Sequence, residues 1–284
     1  MFLPLGALWM AAHATWRALG FRSRKQEVGQ HTLHLYERRG EGSGPPVLLV
    51  HGMGGNAAGF LPIAPAMVRA SRRVIALELP GHGRSSLEAG QAPATILEAA
   101  QGVGAALLEV GEPAVLVGSS LGGALSLFTA AALPDRVRAV VGLNPAGAPL
   151  VGADREAVLR AFRGGSVEAA LEMHRRLYHR PPRLGWFFAR DFGRHWASPS
   201  VQQFVSEIRE DLPGMGADVL AAVAQPVLIL WGEGDRILPA SSVEYFRAHL
   251  RNGRVEVIPA CGHLPMLERS RLVAARIVRF LAEL

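Results

Sequence analysis

The apolar run Ala114-Val115-Leu116-Val117 passes without a break into Gly118-Ser119-Ser120-Leu121-Gly122-Gly123, and this junction constrains the chain more than any other stretch. Four consecutive apolar residues bounded by glycine have the pattern of a strand buried on both faces. The small residues that follow read as a sharp turn opening a helix. A serine hydroxyl is a weak nucleophile until the backbone lifts it clear of its neighbours and a base accepts its proton. A G-x-S-x-G spacing meets the first requirement, because a strained turn leaves no room for β-carbons two positions before and after the serine. Ser120 is central to that spacing, between Gly118 and Gly122, so it is the candidate nucleophile and Ser119 is not. The same letters also occur as a plain helix start in glycine-rich chains, so the surroundings decide.

Upstream, Val47-Leu48-Leu49-Val50 is a second buried-strand pattern and ends in His51-Gly52-Met53-Gly54-Gly55. A glycine-rich loop at a strand end can aim backbone N–H groups at the oxyanion of an acyl-transfer intermediate. The expected donors are the N–H groups of Met53 and of Leu121, the residue after the nucleophile. The other readings of this loop are a plain turn or a phosphate loop, and the latter lacks its G-K-S/T ending. Downstream, Pro226-Val227-Leu228-Ile229-Leu230-Trp231 leads into Gly232-Glu233-Gly234-Asp235, and the short strand Val255 to Pro259 leads into Ala260-Cys261-Gly262-His263. Asp235 is the candidate acid and His263 the candidate base. Their chain order, serine then aspartate then histidine, differs from both protease orders of the same triad.

These motifs, together with Leu79-Pro80-Gly81-His82-Gly83-Arg84-Ser85, resemble the α/β-hydrolase fold group of esterases, lipases, C–C bond hydrolases, dehalogenases and epoxide hydrolases. The resemblance spans residues 26 to 284 and implies a mostly parallel, doubly wound sheet with a helical cap insertion. Dehalogenases and epoxide hydrolases of this group carry aspartate at the nucleophile position, so Ser120 points away from both. In similar proteins the loop holding His82 sits beside the site and its histidine braces it, and His51 is expected to buttress the oxyanion loop. Some relatives place the acid after the strand Val137 to Leu143, where this chain has Asn144; an amide is not an anionic partner, which favours Asp235. Glu233 is the competing acid, but the spacing to Pro239 suits Asp235 better. Asp135 reads as turn chemistry, and Cys261, the single cysteine, as a small buried residue.

Composition enters the argument at two points. The net charge of +6 and pI near 10.5 raise the question of nucleic acid. Yet Lys25 is the single lysine among 30 basic residues, an arginine bias of the kind a GC-rich coding sequence produces, and no nucleic-acid motif is visible. With 284 residues, 49% of them hydrophobic, the chain can bury one large core.

The organisation expected is a core from 26 to 144 and from 219 to 284, a helical cap from 145 to 218, and an apolar helix or anchor over 1 to 25. The stretch from Leu264 to Leu284 reads as one closing helix. The cap carries Trp186, Phe187, Phe188, Phe192 and Trp196, which read either as a small core or as the lining of an apolar substrate pocket. Phe2, Leu5, Trp9, Ala12, Trp16 and Leu19 share one helical stripe, followed by Arg17, Arg22, Arg24 and Lys25. The stripe suits packing on its own domain, a second subunit, or a membrane surface. With no basic segment before the apolar stretch, a cleaved signal is weakly supported, so the expected location is cytoplasmic, with peripheral contact at the inner membrane surface as an addition. The functional expectation is a serine hydrolase acting on a small apolar ester, with no metal, cofactor or nucleic acid required. A C–C hydrolase cleaving a diketone-type substrate, and a ligand receptor on the same scaffold, stay open beside it.

Overall fold

The structure is a computed structural model, and it describes residues 5–162, 164–183, 185–209 and 214–284. Phe2 of the N-terminal stripe lies outside the described residues. Eight strands, β1 (Arg22–Val28), β2 (His31–Arg39), β3 (Val47–Val50), β4 (Arg73–Glu78), β5 (Ala114–Ser119), β6 (Val137–Leu143), β7 (Val227–Gly232) and β8 (Gly253–Ile258), form one sheet ordered β1-β2-β4-β3-β5-β6-β7-β8. β2 runs antiparallel to both β1 and β4, and every other pairing is parallel.

Alternation along the central strands divides the core into two layers. Val47 and Leu49 of β3, with Val115 and Val117 of β5, pack beneath one face. Leu48, Val50, Ala114 and Leu116 pack beneath the other. The first layer is covered by α1 (Leu5–Ala18), α2 (Ala64–Ala70), and the C-terminal pair α11 (Pro265–Glu268) and α12 (Ser270–Ala282); the second by α3 (Ile96–Val110), α4 (Leu121–Ala132) and α10 (Ser241–His249). Between β6 and β7 the chain leaves the sheet for α5 (Gly152–Ala161), α6 (Val167–Leu177), α7 (Gly185–Trp196) and α8 (Pro199–Arg209), and returns through α9 (Ala217–Ala222). This helical insertion carries Phe162, Met173, Trp196 and Phe204 into the second layer.

Two sequence expectations need correction. The residues 22 to 25 assigned to the N-terminal segment belong to the sheet, because β1 starts at Arg22 and pairs with β2 over its whole length. β1 is an edge strand with no fully buried residue, so it carries no apolar alternation to read. The closing helix is broken at Arg269 (φ −128°, ψ 38°), where its guanidinium donates to the Ala260 carbonyl at 2.9 Å. The break turns the Glu268 carboxylate back onto the loop before α11.

The N-terminal stripe faces the protein. Leu5 and Trp16 are buried, Trp9, Ala12 and Leu19 half-buried, and Trp16 stacks on Tyr36 with ring centroids 5.2 Å apart and meets Phe21 edge-on at 4.5 Å. Elsewhere on α1, Leu8 at the flank of the stripe is 44% exposed and Met10 is 69% exposed. No helix among the described residues is long and apolar enough to cross a membrane.

Candidate active site

The carboxyl ends of β3, β5, β6, β7 and β8 all open onto one edge of the sheet, the place where open α/β sheets put their sites. Ser120 sits directly after β5 at φ 52° and ψ −119°, a backbone conformation that costs an L-residue on the order of 1–3 kcal/mol. Its neighbours make that turn possible. A β-carbon on Gly118 would collide with the Gly122 carbonyl, and one on Gly122 with the carbonyls of Val50 and His51. The strained residue is held from both sides, since its N–H donates to Leu143 at 3.0 Å and its carbonyl accepts from Gly123, Ala124 and Ala146. Ser119 is buried at the end of β5 while Ser120 is half-exposed. Ser85 is buried too, its hydroxyl donating to the Glu78 carbonyl at 2.7 Å.

Asp235 follows β7 and is 1% exposed at its side chain. Its Oδ2 accepts from His263 Nδ1 at 2.7 Å and from Asn144 Nδ2 at 2.6 Å, and its Oδ1 from the N–H groups of Ile237 at 2.7 Å and Leu238 at 3.1 Å. Burial alone would raise this carboxyl, but the His263 imidazole and the two N–H groups outweigh it and hold Asp235 below the usual carboxylate range. The bond through Nδ1 leaves His263 Nε2 as the free proton acceptor. Among the described residues no hydrogen bond joins Ser120 Oγ to His263; such contacts commonly tighten only when substrate is bound. Glu233 is exposed, with its carboxylate beside the Ala260 N–H at 3.4 Å, and does not approach His263. Cys261 is fully buried, and burial pushes its thiol up to about 12.

Asn144, which as an amide is no candidate for the acid, bonds directly to Asp235. It adopts φ 43° at the end of β6, donates to Asp235, and accepts from Gly232 N at 2.9 Å. One amide thus ties the strand carrying the acid to its carboxylate. Glu268 does a similar job for the candidate base: Oε1 accepts from Gly262 N at 2.6 Å and Oε2 from His179 N at 2.9 Å, while His263 N donates to Leu177 O at 2.9 Å.

The loop after β3 lies against the elbow, because a β-carbon on Gly52 would come within 2.9 Å of Ser120 Cβ. The Gly52 carbonyl accepts from Gly55 N at 3.0 Å and His51 Nδ1 at 2.8 Å. A trans peptide points its N–H opposite to its C=O, so the Met53 N–H faces away from these donors. Among the described residues neither Met53 N–H nor Leu121 N–H has a protein acceptor; the latter opens α4, where the first N–H groups have no intrahelical partner. Histidines hold the rest of the loop. Leu79 N donates to His51 Nε2 at 3.0 Å, Gly54 N donates to His82 Nε2 at 3.1 Å, and His82 Nδ1 donates to the Pro80 carbonyl at 2.9 Å. Both rings must be neutral to accept in this way. Burial, reinforced for His51 by the nearby His82, lowers His51 to about 3, and burial lowers His82 to about 4.

The cap reaches this loop through α7. His195 Nε2 donates to the Gly54 carbonyl at 2.9 Å, and a β-carbon on Gly54 would lie 2.7 Å from Trp196 Nε1. Phe192 stacks on Trp196 at 5.8 Å and meets Phe188 edge-on at 6.4 Å. Trp186 and Phe187 stack on each other at 4.1 Å at the other end of the helix, with Trp186 46% exposed. The five aromatics therefore divide between a chain of three that reaches the Gly54 loop through Trp196 and a stacked pair at the other end of the helix. Among the described residues no group of three His, Cys, Asp or Glu side chains could hold a metal ion.

The family described as alpha/beta hydrolase fold matches residues 45–270. A dihydrolipoyllysine-residue acetyltransferase component of an acetoin cleaving system from Pseudomonas putida is 33% identical over 277 residues, covering 93% of this chain and 70% of that protein. A pimeloyl-acyl-carrier-protein methyl ester esterase from Neisseria meningitidis is 30% identical over 242 residues, covering 81% of this chain and 90% of that protein. A crystal structure described as a membrane phospholipase A, a novel bacterial virulence factor, superposes with a TM-score of 0.83 at 27% identity and covers 98% of this chain and 91% of that one. Together with a serine at the elbow and an aspartate–histidine pair at the strand ends, these matches make the chain a member of the α/β-hydrolase fold family, of its serine-hydrolase type.

Proposed function

We propose that the chain hydrolyses a carboxylic ester with an apolar acyl or alcohol part through an acyl-enzyme. The observation that carries this reading is the buried Asp235–His263 bond at 2.7 Å, at the same carboxyl edge of the sheet as a serine held in a strained turn. Ser120 Oγ bonds to the ester carbonyl carbon while its proton passes to His263 Nε2, and the oxyanion forms against the Met53 and Leu121 N–H groups. The imidazolium, stabilised by Asp235, returns that proton to the departing alkoxide as the C–O bond breaks. Water then repeats the sequence on the acyl-enzyme, releasing the carboxylic acid and restoring Ser120. Relatives named as a methyl ester esterase and as Lipase 1 of Psychrobacter immobilis, 26% identical over 287 residues, support an ester substrate. Phe192 and Trp196, beside the oxyanion loop, are the aromatics we assign to the substrate's apolar part, with Phe188, Phe187 and Trp186 extending outward along α7.

C–C hydrolysis of a diketone uses the same triad. The structures of such hydrolases similar to this chain are 21–22% identical, a likeness of fold alone, so the ester reading stands ahead of it. A p-nitrophenyl ester series of graded acyl length, run beside one diketone substrate and Ser120→Ala, tests the choice. Turnover of an ester that Ser120→Ala abolishes is expected; cleavage of the diketone alone would replace ester with C–C hydrolysis, and no turnover with no acylation of Ser120 would favour a receptor.

A further inference from the structure

The two peptides flanking the Gly54 α-carbon are each gripped by an imidazole from a different part of the chain. The Gly54 N–H donates to His82 of the core, and the Gly54 carbonyl accepts from His195 of the cap at 2.9 Å. Gly54 itself adopts φ +67°, and the Trp196 ring lies so close to its α-carbon that no side chain fits. Gly54 immediately follows Met53, whose N–H is an expected oxyanion donor. The Gly54–Gly55 peptide whose carbonyl His195 fixes donates its Gly55 N–H to the Gly52 carbonyl at 3.0 Å, and that carbonyl shares a planar peptide with the Met53 N–H, so a rotation of the first peptide is passed on to the expected oxyanion donor.

His195 is in turn held from outside by the N-terminal helix. Trp9 of α1 meets its ring edge-on at 5.2 Å, and the Leu5 N–H donates to Asp191 of the same cap helix at 2.9 Å. His195 is half-buried, in edge contact with His82 at 6.4 Å, so its ring has little freedom to turn away from Gly54.

We propose that His195 is a positioning residue for the oxyanion hole, so that the cap, with α1 behind it, is a working part of the catalytic site rather than a removable lid. The proposal rests on the ester-hydrolase reading above. Any displacement of α7 that breaks the 2.9 Å bond also releases the Gly54 carbonyl and slackens the loop that presents Met53. Occupation of the hole and seating of the cap are then one event, and α1 is coupled to turnover without touching substrate.

The test uses the full chain and a short, soluble p-nitrophenyl ester. His195→Ala should lower kcat on the order of 10- to 100-fold with KM nearly unchanged, less than the direct loss of an oxyanion donor would cost. Affinity for a trifluoromethyl ketone, whose serine adduct places an oxyanion in the same hole, should fall in parallel. His195→Gln, which keeps a donor at similar reach, should recover most of both. Trp9→Ala, which leaves the donor but removes its backing, should shift both quantities in the same direction by a smaller factor, and it serves as the readout if His195→Ala fails to fold. Wild-type kcat and analogue affinity in His195→Ala, or His195→Gln as impaired as the alanine variant, would overturn the proposal; so would an unfolded His195→Ala accompanied by a Trp9→Ala protein with unaltered constants. Failure of the ester-hydrolase reading shows itself separately, as a wild-type Ser120 that no acylating probe modifies.

Discussion

The two sides of the site are held together by different chemistry. On the acid–base side every partner of Asp235 comes from the core: Asn144, the Ile237 and Leu238 N–H groups, and His263. These are bonds to an anion, about twice as strong as neutral ones, and they grow stronger as His263 takes up a proton. On the oxyanion side the partners are the imidazoles of His51, His82 and His195, one of them brought by the cap. His51 and His82 can serve only while neutral. One side of the site is thus braced through a charged group and the other through neutral imidazoles, and each can be broken without the other.

The largest effect is expected on the acid–base side. Asp235→Asn should cost kcat roughly 10⁴-fold, by analogy with the same change in serine proteases, with the fold retained by circular dichroism. Glu233→Gln should leave kcat within about twofold, since an exposed carboxylate away from the imidazole contributes no transition-state contact. A reversal of these two outcomes would move the acid to Glu233.

Asn144→Ala tests whether the core brace matters as much as the acid itself. It strips one donor from the Asp235 carboxylate and leaves the buried Gly232 N–H without its acceptor. A loss of about 2–4 kcal/mol of stability is expected from urea unfolding, together with a fall in kcat smaller than that of Asp235→Asn. Unaltered stability would mean that the strand end holds its geometry without the amide.

Acid should break the oxyanion side first. His51 and His82 titrate near 6.5 when exposed and at about 3 and about 4 in the folded chain, so the unfolded state binds protons that the folded state refuses. Stability is fully present above pH 6.5 and declines as pH falls towards those folded values, by up to about 1.4 kcal/mol per pH unit for each histidine. Asp235, whose folded value lies below its ordinary 3.8, stabilises the fold above that ordinary value and loses its contribution only below it. Urea unfolding at steps from pH 7 to pH 3.5 should therefore show a decline that starts near 6.5. A flat profile down to pH 4.5 would contradict the role given to the neutral imidazoles.

The legibility of the molecule follows the same division. The central strands were readable because continuous apolar runs end in glycine, histidine or asparagine at the sheet's carboxyl edge, and Ser120, Asp235 and His263 stand one to five residues beyond their strands. β1 was not, since an edge strand with polar residues on both faces is held by its backbone ladder to β2. Asn144 was visible as a polar residue at a strand end, but its task depends on β6 lying next to β7, a fact of topology. His195 lies 141 positions from Gly54 in a helix read only for its aromatics, and no spacing rule links the two. Local pattern finds the candidate chemical residues, whereas the partners that hold them in place are set by long-range packing.

The N-terminal helix should have the smallest effect on the acid–base side. Trp16 is 1% exposed, and Trp16→Ala should destabilise the fold by about 3–5 kcal/mol while the protein that remains folded keeps its Asp235-dependent turnover. Leu8 and Met10 are the exposed large apolar residues of α1. Leu8→Ser with Met10→Ser should leave thermal stability unaltered, and co-sedimentation with anionic vesicles, if it occurs in the wild type, should weaken; binding that survives the double change would move any membrane contact off this helix.

The central claim is that Ser120 alone is presented for acylation, and a fluorophosphonate probe tests it most directly. Peptide mapping after labelling of the native chain should find the phosphonyl group on Ser120 and nowhere else, and Ser120→Ala should abolish it. Label on Ser119 or Ser85, or label persisting in the alanine variant, would contradict the account.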